Sequence, residues 1–363
     1  MEETRLGVVG VGGFGLFCIA NCRNIPGVRI TAAADINEEL LARVAGEFDI
    51  GYTTTDWQTL VMHPQVDVVH IITPPYLHAE QAIMALRAGK HVFIEKPIAI
   101  TLNEADAIMQ ASAEYGGRVG TNFVMRYNPL YDAVRTITEE HLLGAPMRLV
   151  FENYAQDLPS SHWFWNPRLS GGIPVEHGVH FFDIFQSIFG AGTLQWAGRL
   201  TRVGGEEDKW LLVLQYGERM FGSFTHNFDM PTVIEQTTAD LIYERGRIRL
   251  SGWIPERLTL DALVSEHQAA RLLTLLPGLT ALSVAADEQT VLANGQRFTL
   301  TRRVQADYSP GEKQVLYGKA VRDAMADFIA WTKDPRYIPR VTGADGREAL
   351  RIALEVEALA RKE

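Results

Sequence analysis

A chain of 363 residues exceeds what one hydrophobic core ordinarily serves, so two domains are expected, both with ample apolar residues to bury. Lys and Arg total 34 against 44 Asp and Glu, and the net charge of −10 repels a phosphate backbone, which argues against nucleic acid as a partner. Cys18 and Cys22, the two cysteines, give neither a disulfide framework nor a zinc ligand set and read as packing residues. No apolar run approaches the length of about 18 residues that suggests a membrane span, and a strand pattern starts within a few residues of Met1. No membrane partner and no signal peptide are therefore expected, and a cytoplasmic setting is the simplest.

The first third alternates short apolar runs with amphipathic stretches, the pattern of βα units closing on a parallel sheet. Strands are predicted over residues 5–10, 28–34, 67–73, 91–95 and 118–122, with helices over 38–48, 77–88 and 103–115 and a helix stop at Gly89. Residues 1–124 are thus expected to form a Rossmann domain, a doubly wound α/β sheet. After residue 128 the texture changes to long alternating runs at 147–155, 210–216, 220–228 and 237–250, joined by turns such as Tyr216-Gly217-Glu218 and Arg245-Gly246. Residues 125–363 are read as a second α/β domain built on a large, mostly antiparallel open sheet. Within it, 262–287 reads as an inserted helix or loop, and 346–362 as a closing amphipathic helix able to pack back on the first domain.

Gly10-Val11-Gly12-Gly13-Phe14-Gly15 fits the pattern G-x-G-x-x-G directly after a strand and at the start of a helix. Glycines there let the backbone turn tightly and approach a pyrophosphate, whose charge meets the helix N-terminus. Asp35, at the end of the second strand, supplies a carboxylate for ribose hydroxyls, or alternatively caps the helix that starts near Asn37. An acid at this point repels the 2′-phosphate of NADP, so NAD is favoured as the cofactor. The Thr73-Pro74-Pro75 loop either borders the ligand crevice or is simply a rigid turn. Glu95-Lys96-Pro97 closes a strand and puts Lys96 at the carboxyl edge of the sheet, where a nicotinamide ring would lie.

With these residues in place the sequence resembles the glucose-fructose oxidoreductase, inositol dehydrogenase and rhizopine-catabolism (Gfo/Idh/MocA) family. The resemblance rests on the Gly10 to Gly15 segment, Thr73-Pro74-Pro75 with His78, Glu95-Lys96-Pro97, and residues 122–129, 171–183 and 342–346. It implies cofactor contacts from Gly10, Gly12, Gly13, Phe14, Gly15, Asp35, Thr73, Pro74, His78, Glu95, Lys96 and Asn122. In the family a Gly-Gly segment leads into a helix that carries an Asp and, four residues on, a His. Here that stretch is Gly171-Gly172-Ile173-Pro174-Val175-Glu176-His177-Gly178-Val179-His180, with Glu176 in place of Asp and Ile173 where a third Gly is common.

Glu176 and His180 share one face of an ideal helix, with Asp183 a turn further along, whereas His177 points about 60° away. That divergence argues against a metal held by His177, His180 and Asp183, and none is expected. The longer Glu176 side chain could bind substrate or pair with Lys96 or His180. Trp163, Trp165 and Arg168 suit a sugar-like ligand or ordinary loop packing, and Arg126 either lines the crevice or joins the domains. The resemblance implies a reaction that moves hydride between a nicotinamide cofactor and a hydroxyl or carbonyl of a sugar, inositol or polyol. His180 is the candidate base, Lys96 the cation on the substrate oxygen and Glu176 an orienting acceptor. Relatives that hydrolyse glycosides with bound NAD, or that only sense dinucleotide, define two alternatives. The resemblance also implies a homodimer or homotetramer through the C-terminal sheet.

Overall fold

Among parallel strands that are covered on both faces, near-continuous apolar sequence is required, and the first sheet has it: β1 (Thr4–Val9), β2 (Val28–Ala34), β4 (Val68–Ile71) and β5 (His91–Ile94) are mostly buried. A computed structural model describes residues 3–283 and 290–362. With β3 (Tyr52–Thr54) and β6 (Val119–Thr121), all parallel, the six strands run in the order β3-β2-β1-β4-β5-β6. The order reverses between β1 and β4, the switch point of a doubly wound sheet.

Between these strands lie α1 (Gly13–Cys22), α2 (Glu38–Phe48), α3 (Trp57–Met62), α4 (His78–Arg87) and α5 (Leu102–Tyr115). Local chemistry fixes their ends. Thr101 and Glu104 form a capping box at the start of α5, and Gly116, at φ 77°, ends it in the left-handed conformation. The sequence reading lacks β3 and α3. Three residues are too few to show a period of two, and the six of α3 too few to show a helical stripe.

The chain divides into two compact units that are discontinuous in sequence: residues 1–127, 161–183 and 317–355 form the first, and 128–160, 184–316 and 356–363 the second. The helix α10 (Lys313–Lys333) brings Phe328 onto Phe93 of β5, with ring centroids 5.1 Å apart, and Trp331 under the Arg118 guanidinium at 4.8 Å. A Cβ on Gly120 would come within 2.6 Å of the Phe328 ring, so β6 accepts this helix only because it carries glycine there. The last helix, α11 (Gly343–Ala360), starts against Val119 and Thr121. All candidate site residues fall in the first unit.

The second unit is organised by a nine-stranded sheet. Its strands are β7 (Pro146–Gln156), β8 (Gly192–Leu200), β9 (Lys209–Tyr216), β10 (Met220–Met230), β11 (Gln236–Tyr243), β12 (Gly246–Ser251), β13 (Arg257–Val264), β14 (Thr280–Ser283) and β17 (Arg302–Tyr308). They run in the order β14-β17-β13-β12-β11-β7-β10-β9-β8, antiparallel except for the parallel pair β7 and β10. β15 (Thr290–Ala293) and β16 (Gln296–Thr299) make a separate hairpin. Phe151, Phe185 and Phe224 form the aromatic centre of this unit, joined by Tyr131 from α6 (Pro129–Glu139).

Of the helix or loop expected for the segment 262–287, the structure has a helix, set between strands. β13 ends at Val264, a capping box of Ser265 and Gln268 opens α9 (Glu266–Leu275), and β14 adds an edge strand; residues 284–287 lie outside those described. Among the described residues no helix is long and apolar enough to cross a membrane.

Candidate active site

The glycine segment shows why two of its four glycines are needed. Gly10 sits at φ 92°, and a Cβ there would lie 2.8 Å from the Ile72 carbonyl oxygen. A Cβ on Gly15 would overlap the Gly10 carbonyl, so α1 can approach β1 only with glycine at that position. Gly12 and Gly13 differ: a Cβ at either meets nothing within 4 Å. Their exposed backbone is open to a ligand that must come close. α1 begins at Gly13 with no side-chain cap and no acidic residue in its first turn. Its free N–H groups and positive end are therefore left to an anion, and the segment fits a dinucleotide pyrophosphate.

Asp35 ties this loop to the end of β2. Its Oδ2 accepts from the Val11 N–H at 2.8 Å, and its Oδ1 accepts from the Asn37 N–H at 3.0 Å. It is not the cap of α2; Asn37 is, its side chain accepting from the Leu40 N–H at 3.0 Å. Each Asp35 oxygen keeps a lone pair for a ribose hydroxyl.

His78 is fully buried, and each ring nitrogen lies 2.8 Å from a carbonyl oxygen, Nε2 from that of Thr73 and Nδ1 from that of Pro97. Burial pushes its pKa down, against the pull of the two carbonyls. His78 thus fastens the Thr73-Pro74-Pro75 loop to the strand end that carries Lys96. The Thr73 hydroxyl in turn donates to Gln81 at 2.7 Å.

Glu95 and Asn122 face each other in the interior. Glu95 Oε1 accepts from Asn122 Nδ2 at 2.6 Å, from His70 Nε2 at 3.1 Å and, more loosely, from the Cys18 thiol at 4.0 Å. Cys18, His70 and Glu95 bring one potential ligand atom each within 4.8 Å of one another. Three donors already converge on the carboxylate, which accounts for the cluster by hydrogen bonding. Burial and the Glu95 charge hold the Cys18 thiol well above its usual range, so it remains a donor.

Lys96 and Glu176 meet directly. Lys96 Nζ donates to Glu176 Oε1 at 2.6 Å and to the Glu176 carbonyl oxygen at 2.8 Å. The local backbone explains the second contact. Gly171 and Gly172 take φ of 83° and 86°, and Pro174–Gly178 form a π-helical turn, so Glu176 does not sit on the regular α-helix that the sequence suggests. π-turns loosen the carbonyl ladder and recur at functional sites. Ile173 has helical angles, φ −58° and ψ −45°, which is why a third glycine is dispensable.

His180, on α8 (Val179–Phe189), is buried with its ring edge-on to Phe123 at 6.3 Å. Burial first, and the Lys96 charge second, hold its pKa well below the ordinary imidazole value, so it is neutral at physiological pH. Lys96 and Glu176 are thus in direct contact, and the Lys96 charge is felt at His180.

Arg126 does not join them. Its Nε and Nη2 grip Asp183 at 2.8 and 2.6 Å, Nη2 also reaches Asp345 at 3.0 Å, and Nη1 donates to the Arg340 carbonyl at 3.1 Å. Four of its five N–H groups are spent on the protein itself, so the guanidinium acts as a strut within the first unit. The same bonds commit Asp183, which removes it from any ligand set with His177 and His180. Trp163, 39% exposed, lies in the turn Trp163–Trp165. Arg168 is exposed on the short α7 (Pro167–Ser170) beside the Pro75–Leu77 turn, and both side chains are available to a ligand.

One residue without any motif also belongs here. Tyr317 of α10 lies against Phe17 at 4.9 Å and Phe14 at 5.9 Å. Burial raises its pKa, reinforced by the charges of Glu95 and Glu176.

The family described as "Oxidoreductase family, NAD-binding Rossmann fold" matches residues 4–123, and the GFO/IDH/MocA C-terminal domain matches residues 131–249. The chain is 32% identical over 188 residues to 1,5-anhydro-D-fructose reductase of Ensifer adhaerens, covering 51% of this chain and 56% of that protein. It is 27% identical over 191 residues to scyllo-inositol 2-dehydrogenase (NAD(+)) of Bacillus subtilis, covering 52% and 55%. These matches span about half the length of the curated relatives. In fold it is similar to levoglucosan dehydrogenase solved with NADH, at TM-score 0.79 and 20% identity over 99% of this chain and 98% of that one.

Proposed function

Because the chain belongs to the Gfo/Idh/MocA oxidoreductase family, we propose that it interconverts a hydroxyl and a carbonyl on a sugar, inositol or related polyol, with NAD as cofactor. The observation that carries this reading is the Lys96–Glu176 pair beside a neutral His180. A bound nicotinamide ring supplies the hydride acceptor for oxidation and the donor for reduction.

The chain's own residues handle the proton and the charge. An ammonium has three N–H donors, and two of those on Lys96 are held by Glu176. The third remains for a substrate oxygen, where it stabilises developing alkoxide character. His180, held neutral, takes the hydroxyl proton in oxidation and returns it in reduction. Glu176 keeps the ammonium aimed and leaves Oε2 for a neighbouring hydroxyl. The exposed Trp163 and Arg168 offer a stacking surface and a polar contact to the rest of a sugar.

NAD rather than NADP is supported by Asp35, whose charge opposes a 2′-phosphate. Residues 1–124 would bind the dinucleotide and 125–363 the substrate. Trp196, Leu211 and Phe221 are exposed on one face of the nine-stranded sheet, which suits pairing into a homodimer or homotetramer. Two buried free cysteines suit a reducing cytoplasm.

The test is to incubate the protein with NAD+ or NADP+ and a panel of inositols, sugars and sugar acids while following reduced nicotinamide, with Lys96→Ala as control. Reduction with the wild type that disappears in the variant is the expected result. Cleavage of a glycoside without net reduction would replace this reading with glycoside hydrolysis.

A further inference from the structure

Three aromatic rings from distant parts of the chain meet beside the glycine segment. Phe14 lies inside that segment and Phe17 one turn along α1, with centroids 6.0 Å apart. Tyr317 completes the group, nearly parallel to Phe14 at 28° and tilted 45° to Phe17. The contact is tight, because a Cβ on the next residue, Gly318, would overlap the Asn21 carboxamide on α1. α10 thus packs along α1 from Phe14 in its first turn to Asn21 in its last.

Ordinary core packing does not account for these rings. Phe14, Phe17 and Tyr317 are each only partly buried, whereas Cys18 and Ile19 on the same helix are 1% exposed. A partly exposed aromatic cluster therefore stands beside the space that Gly12 and Gly13 leave for a ligand.

We propose that Tyr317 is a positioning residue for the dinucleotide: its ring braces Phe14 and so keeps the first N–H groups of α1 aimed at the pyrophosphate. This rests on the cofactor reading above. Phe17 supports Phe14 only from within the same helix, whereas Tyr317 holds it from another element, and glycine neighbours give the backbone freedom that a bound anion alone would have to overcome. A ring clamped from α10 removes that freedom before the ligand arrives.

The test is NADH titration of the full-length chain, followed by nicotinamide fluorescence, with wild type, Tyr317→Ala, Tyr317→Leu and Tyr317→Phe, alongside the thermal midpoint of each without ligand. Loss of the aromatic pair should weaken NADH binding by about tenfold in the Ala and Leu variants. Phe should restore binding to within about twofold, because it keeps the ring. Leu preserves most of the apolar bulk and serves if Ala does not fold. Unchanged NADH affinity in the folded Ala or Leu variant overturns the inference and leaves the cofactor reading standing. A tenfold loss in the Phe variant also overturns it, by shifting the role to the hydroxyl. A wild type that binds neither NADH nor NADPH overturns both.

Discussion

Lys96 and Arg126 look alike in the sequence, two cations in family motifs near the same helix, yet their surroundings differ in one decisive respect. Arg126 has two carboxylates and a carbonyl to satisfy it, and both of its side-chain edges are engaged. Lys96 has a single partner residue, Glu176, and keeps a donor in reserve. A cation fixed by three partner residues is architecture; one held by a single residue can be turned to chemistry. Residue type does not distinguish the two, and the number of partners does.

The comparison is broken most directly by exchanging the consequences. Arg126→Met should cost about 3–5 kcal/mol of stability, because it strands a buried Asp183. Denaturant unfolding would measure this, while the folded fraction should still turn over. Lys96→Ala should do the reverse, lowering kcat by roughly 10²–10³-fold with NADH affinity and the thermal midpoint nearly unchanged. Full turnover in Lys96→Ala would remove the distinction.

Proton linkage sharpens it further. Burial holds His226 at about 3, and His180 also lies well below the ordinary value. Both bind protons more readily in the unfolded chain, where imidazoles titrate near about 6.5. Their contribution to stability is therefore complete above that pH and declines as pH falls toward 3. For His226 the loss between pH 7 and 5 should be about 2 kcal/mol, read from denaturant midpoints. Arg126→Met should show the same slope, since no imidazole belongs to its cluster. The smallest effect is expected at Asp35, another carboxylate with lone pairs to spare. Asp35→Ser should shift the ratio of NADPH to NADH affinity towards NADPH by about tenfold, measured by titration with each.

The parts of the site that could be read beforehand are those whose chemistry is contiguous. Gly10 to Gly15 and Glu95 to Pro97 announce themselves because neighbouring residues jointly shape one turn or strand end. Tyr317 and His70 carry no such signal; packing of α10 on α1 and of β4 on β5 brings them in. The π-turn at Glu176 was hidden because it differs from an α-helix by a single backbone register, which residue type does not encode. Among the strands, β8 escaped because a bulge between Leu194 and Trp196 interrupts its alternation. The role of Arg126 stays open in the sequence for the opposite reason, since its partners Asp183, Arg340 and Asp345 are scattered along the chain.

The covering of β5 and β6 by α10 has a further consequence for how this polypeptide can be taken apart. The chain passes between the two units five times, at 127/128, 160/161, 183/184, 316/317 and 355/356. A fragment cut near residue 124 would lack α10, leaving Phe93 and Gly120 bare, and would lack Glu176 and His180 altogether. Neither half is a module that gene fusion or truncation can move intact. Insertions that leave both units whole belong instead in exposed turns such as the Asn294-Gly295 tip of the β15–β16 hairpin.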